Sequence, residues 1–159
     1  WADRVGRASR RFPELVGDRA DWLLGPFAAA LDGALDRMEA SPRALVHGDL
    51  HTDNVLWRPG VTPVVLDWSD AVSGPVSRDL LVLIGGGIGR EHRDDVIERY
   101  ATSVGRDAAS VGRDLHDAAH WLLRGVVGWA AVSDGLVAGT RMAATCEHAL
   151  SELFEHFGV

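Results

Sequence analysis

The 159 residues are 47% hydrophobic and 25% charged, the size and balance of one globular domain that buries its own core without disulfide or metal staples. That composition excludes disordered, collagen-like and disulfide-rich chains, and no apolar run nears the ~18 residues of a membrane-spanning helix. Sixteen cations face 23 carboxylates for a net charge of −7, which speaks against nucleic acid as a partner and suits a cationic small molecule.

Residues 1–20 are Arg-rich with weak helical periodicity, broken at Pro13 and Gly17. From Asp21 to about Glu39, Trp22, Leu23, Phe27, Ala30, Leu31, Ala34, Leu35 and Met38 recur at three- and four-residue intervals and predict an amphipathic helix, which Ser41-Pro42 stops. Three short apolar runs follow, Ala44-Leu45-Val46, Val55-Leu56-Trp57 and Val64-Val65-Leu66. They read as strands, the last two forming a hairpin around Arg58-Pro59-Gly60. The remainder predicts helices. One runs from Arg78 to about Ile84 with Ser77 as N-cap, and Gly85-Gly86-Gly87 ends it. Three more cover Glu91 to Val104, Gly112 to Ser133 and Val137 to Phe157, the last two joined near Asp134-Gly135. No repeat or linker interrupts this order, so the expected fold is a single α+β unit, mostly helical with a small β insert.

Between the first strand and the hairpin lies a polar loop, His47-Gly48-Asp49-Leu50-His51-Thr52-Asp53-Asn54. Asp67 follows thirteen residues after Asn54, at the far end of the hairpin. A hairpin returns its end close to its start, so Asn54 and Asp67 pair as oxygen donors for a hard cation such as Mg²⁺. Asp49, just ahead of them, is placed to meet a substrate hydroxyl. The spacing fits the phosphoryl-transfer template, in which H-x-D-x-x-x-x-N supplies the hydroxyl-orienting Asp and a metal-binding Asn, and a later Asp holds the metal on the nucleotide phosphates. Such a reaction asks little of its base, because the transition state is loose.

The segments HGDLHTDNVLW and VVLDWSDA together resemble the aminoglycoside phosphotransferase family, whose fold is like that of the protein kinases. The resemblance implies that Asp49 is catalytic, that Asn54 and Asp67 bind Mg²⁺ with ATP or GTP, and that His47 supports the loop. It implies a structural role for Asp79, at the start of the following helix. Gly48 stands where protein kinases usually carry the arginine that answers a phosphorylated activation loop, which favours a small-molecule kinase. The family's N-terminal β-rich lobe, with its nucleotide-binding lysine and adenine hinge, has no counterpart here, and the sequence contains no lysine at all. The resemblance therefore covers a helical C-terminal lobe whose small hairpin carries the catalytic loop, a lobe expected to be inactive alone.

The expected activity is transfer of a γ-phosphate to a small-molecule hydroxyl. An aminoglycoside, and with it antibiotic resistance, is one candidate; an amino alcohol is another. His51, Asp53 and Asp70 are candidates for the substrate mouth, with Glu91, Asp94 and Asp95 further on. Two other classes compete: a non-catalytic kinase-like binding module, and a metal-dependent hydrolase built on the alternation His47, Asp49, His51, Asp53. His116 and His120 share a helix face as in zincins, but Asp117 replaces the usual Glu and Arg124 continues the stripe, which reads as facing solvent or an acidic cleft. Trp121, Trp129, Leu122, Val126 and Val127 read as core-facing. Cys146 reads as a buried structural thiol, and no signal-peptide pattern is present; the expectation is a cytoplasmic protein bound to no membrane. The oligomeric state is left open.

Overall fold

The computed structural model describes residues 1–88, 90–132 and 140–159. Within it the chain forms two compact units, one of residues 1–36 and 119–159, the other of residues 37–118.

In the first unit, helix α1 (Ala2–Arg11) buries Val5 and Ala8. A π-helical turn over Pro13–Gly17 and the single helical turn α2 (Ala20–Trp22) lead to a second π-helical turn, Leu23–Phe27. Pro26 lies inside that turn. Proline has no N–H for the α-helical ladder, and widening the ladder by one residue accommodates it. Helix α3 (Ala28–Ala40) follows directly. The expected amphipathic stretch is thus present with a π-turn at its head. Its buried face is Leu23, Phe27, Leu31, Ala34 and Met38, whereas Ala30 is exposed.

Phe27 is the hub of an aromatic cluster. It packs against Trp1, Trp22 and Phe157, and His120 stacks on it at 5.3 Å between centroids. The solvent-facing expectation for the His116–His120 stripe therefore fails at its second member: His120 is buried, while His116 and Arg124 are exposed. An imidazole is flat and small enough to stack on one phenyl ring, Phe27, and meet a second, Phe157, edge to face, which a polarity count along the helix does not register. The buried stripe of helix α6 (Ala108–Val132) runs through Leu123 and Val127. Trp129, expected in the core, is 36% exposed.

Helix α7 (Arg141–Phe157) is capped by Thr140, whose hydroxyl accepts the Ala143 N–H, and it buries Cys146, Leu150 and Phe154. The expected junction near Asp134-Gly135, with Ser133 and Val137, lies outside the described residues, as does Gly89. Burial pushes the Cys146 thiol from its ordinary 9.0 to about 11. The unfolded chain therefore ionises first. Cys146 adds stability below pH ~9 that is lost as pH rises toward ~11. Denaturant midpoints measured from pH 7 to 11 should fall in that window for the wild type, and fall less for Cys146→Ala.

The second unit contains two small antiparallel sheets. Strand β2 (Val55–Leu56) pairs with β3 (Val64–Val65) in the expected hairpin, each shorter than its apolar run. Strand β1 (Arg43–Val46) pairs with a strand the sequence reading did not find, β4 (Val72–Pro75), in the register Arg43 to Pro75 and Val46 to Val72. Val-Ser-Gly-Pro reads as a turn, but Pro75 closes the strand, where no ladder N–H is required. Helix α4 (Ser77–Leu83) starts one residue earlier than expected. Val76 is its cap and Ser77 is already helical, with no side-chain cap. The glycine run does not end it cleanly, because Ile84–Ile88 continues as a π-helical turn. Leu80 and Ile84 join Ile97 and Ala101 of α5 (Arg93–Val104) and Val111 and Leu115 of α6 in this unit's core. Arg37 makes a bidentate bond to the buried Asp117 at 2.7 and 2.9 Å, the pairing that lets a carboxylate be buried there. No helix among the described residues is long and apolar enough to cross a membrane.

Candidate active site

The polar loop hangs between β1 and the hairpin, entirely within the second unit, and its entry is clamped from below. Asp79, in the first turn of α4, is buried, and its two carboxylate oxygens accept the backbone N–H groups of His47 (2.6 Å) and Gly48 (2.8 Å). Backbone donors that a tight turn would leave unpaired thus gain a charged acceptor.

His47 is 2% exposed and uses both ring nitrogens. Nδ1 accepts the Asp49 N–H at 3.3 Å, so Nε2 carries the proton and donates to the Leu66 carbonyl at 2.7 Å. The indole of Trp68 packs on the imidazole at 4.9 Å. The imidazole therefore ties the loop to the residue that precedes Asp67, and neither of its nitrogens is left for a metal. Among the described residues no three or more His, Cys, Asp or Glu side chains converge as a metal site. The His/Asp alternation consequently gains no support as a transition-metal cluster.

Gly48 has φ +89°, and a Cβ there would lie 2.3 Å from the Asp70 carbonyl oxygen. The residue is glycine for steric reasons as well, since an arginine, or any side chain, would collide with backbone. Gly48→Ala is expected to cost about 2 kcal/mol or more, through left-handed strain plus displacement of the Asp70 turn. Chemical denaturation measures the loss.

Beyond Gly48 the loop opens to solvent. The Asp49 side chain is 53% exposed. A short 3-10 turn, Thr52–Asn54, brings Asn54 back so that its Nδ2 donates to the Asp49 carbonyl at 2.9 Å and lies 3.2 Å from His51 Nε2. The Asn54 carbonyl accepts the Leu66 N–H at 2.8 Å, so Asp67 follows directly on a residue bonded to Asn54. Asp67 is in the left-handed region (φ 55°, ψ 67°), the sole such non-glycine among the described residues. Asp tolerates that conformation better than most side chains, at some cost in strain. Ser69 Oγ donates to Asp67 Oδ1 at 2.9 Å. The Asn54 bonds engage its amide nitrogen, and the Asp67 bond engages one oxygen. The Asn54 amide oxygen and the second Asp67 oxygen remain outside these bonds, and an all-oxygen pair of this kind fits Mg²⁺.

The structure thus links His47, Asp49, His51, Asn54, Leu66 and Asp79 in one hydrogen-bonded network, with Asp67 next in chain to Leu66. Asp53 and Asp70 are exposed beside it. Asp95, by contrast, is paired with Arg99 on α5. Sequence reasoning missed Trp68 and the Leu66 and Asp70 carbonyls. The Trp was visible directly after Asp67, but nothing in the sequence tells which ring it covers.

A family model described as the phosphotransferase enzyme family matches residues 1–121. The chain belongs to that family. Among its relatives, stress response kinase A of Salmonella paratyphi A and of Escherichia coli strain K12, and the serine/threonine protein kinase RdoA of Salmonella typhimurium, are each 36% identical to it over 69 residues. That stretch is 42% of this chain and 20% of each relative, so the chain spans only a small part of their length. Membership makes the chain kinase-like, in a family whose chemistry generally employs ATP and a divalent cation.

Proposed function

We propose that this chain is the catalytic and substrate-binding lobe of a phosphotransferase that moves the γ-phosphate of MgATP or MgGTP to a small-molecule hydroxyl. The observation that carries the reading is the double tie across the hairpin, His47 to the Leu66 carbonyl and Leu66 N–H to the Asn54 carbonyl. It draws the Asp49 loop and the Asp67 turn into one site. In this reading Asp49 accepts the hydrogen bond of the acceptor hydroxyl, aims its oxygen at the γ-phosphorus and takes the proton as the O–P bond forms and the nucleoside diphosphate departs. Asn54 and Asp67 would hold Mg²⁺, which supplies charge neutralisation on the phosphates. His47 and Asp79 keep the loop in shape, and Asp53 and Asp70 offer the mouth negative charge for a cationic acceptor.

A phosphate-gripping lysine has to come from residues outside this sequence, which has none. The reading therefore includes a partner lobe, and Leu56, Trp57, Val64 and Leu66, all exposed, give such a lobe an apolar face to cover. A second reading is favoured by the name of one relative, the serine/threonine protein kinase RdoA: the acceptor is a Ser or Thr hydroxyl on a protein. Transfer from MgATP and MgGTP to aminoglycosides, amino alcohols and a Ser/Thr protein substrate separates the two. It should be measured in the longest form of the protein that restores a lysine-bearing lobe. Small-molecule product supports the first reading, phosphoprotein the second. A folded protein that binds nucleotide and transfers to none of them points to a binding module instead.

A further inference from the structure

His51 lies between the two chemical elements of the loop. Its Nε2 is 3.2 Å from Asn54 Nδ2 and 3.4 Å from Asp49 Oδ2. The orientation of the Asn54 amide follows from its other contact. Nδ2 is 2.9 Å from the Asp49 carbonyl; a flipped amide would set two acceptor oxygens against each other there, so the nitrogen faces that carbonyl. The amide's second N–H then meets His51 Nε2. In the neutral ring a proton on Nε2 would set two donors against each other at 3.2 Å, and the 3.4 Å approach to Asp49 Oδ2 lies beyond the ordinary N–H···O length.

From this we infer that His51 is a positioning residue. It carries its proton on Nδ1, and its Nε2 lone pair accepts the second Asn54 N–H. Both amide hydrogens are then consumed on the protein side, and the amide oxygen is locked toward the cation position. The two loop histidines hold opposite tautomers, Nε2–H at His47 and Nδ1–H at His51. A ligand's partner acting in this way sets metal affinity without touching the metal. The role differs from the substrate-mouth place that the sequence suggested, and it rests on the reading of Asn54 as a Mg²⁺ ligand.

Two measurements test it. Long-range ¹H–¹⁵N correlation of the imidazole nitrogens in the wild-type chain at pH about 8, above the ordinary histidine range, should show Nδ1–H for His51 and Nε2–H for His47. Assignment of His51 as the Nε2–H form overturns the inference, and it does so whether or not the protein is a kinase. In the phosphotransfer-competent protein, His51→Ala should raise the Mg²⁺ concentration for half-maximal rate by ~10-fold or more. His51→Gln, whose amide oxygen reaches the Nε2 position, should stay within a few-fold of wild type. Equal behaviour of the two variants, at equal thermal midpoints, also overturns it. Loss of the kinase reading itself would register separately, as phosphotransfer insensitive to Asp49→Asn.

Discussion

Asp49→Asn is expected to lower kcat for phosphotransfer by ~10²–10⁴-fold, the range lost with a positioned proton acceptor, while nucleotide KM stays within a few-fold. The asparagine keeps the size of the carboxylate and can still receive the hydroxyl's hydrogen bond, but it cannot hold the departing proton. Because the side chain is 53% exposed and Asp49 bonds within the loop itself, the thermal midpoint should be unchanged. Steady-state kinetics at saturating Mg²⁺, with a melting curve, measure both.

Asp79→Ala should have the largest structural effect of any change at the site. It removes both acceptors of the His47 and Gly48 N–H groups at once. With the donor at His47 buried, about 2–5 kcal/mol of stability should be lost, one to a few kcal/mol for each unpaired group. Activity should fall beyond what unfolding explains, because the freed loop no longer presents Asp49. Denaturant titration gives the first quantity. Rate per folded molecule, measured where the variant is fully folded, gives the second. Asp79→Asn keeps one acceptor and should lose roughly half as much.

The parts of the site legible in sequence are those where chain spacing alone forces proximity. Asn54 and Asp67 flank a hairpin, and the turn residues Arg58-Pro59-Gly60 fix that hairpin regardless of the rest of the fold. The helices were legible wherever one periodic face met one core, as along Leu23 to Ala34. Long-range placement was not legible. Nothing local says that β4 pairs with β1, since Gly74 and Pro75 carry the signature of a turn. His120 looked polar and proved to be a stacked core ring because Phe27, far away in sequence, supplies its partner. Gly48 shows both sides of the matter. Its place in the motif was apparent, yet the reason only glycine fits, the Asp70 carbonyl against its Cα, exists only in three dimensions.

The central claim is that Asp49, on the loop, and Asp67, beyond the hairpin, belong to one phosphoryl-transfer centre. A double-mutant cycle on γ-phosphate transfer tests it most directly, in the form of the protein that carries the lysine-bearing lobe, with wild type, Asp49→Asn, Asp67→Asn and the double variant assayed under one set of conditions. Residues of one centre act as a unit and their losses do not multiply, so the double variant should be about as slow as the slower single one. Losses that multiply, or an Asp67→Asn variant as active as wild type at limiting Mg²⁺, would contradict it.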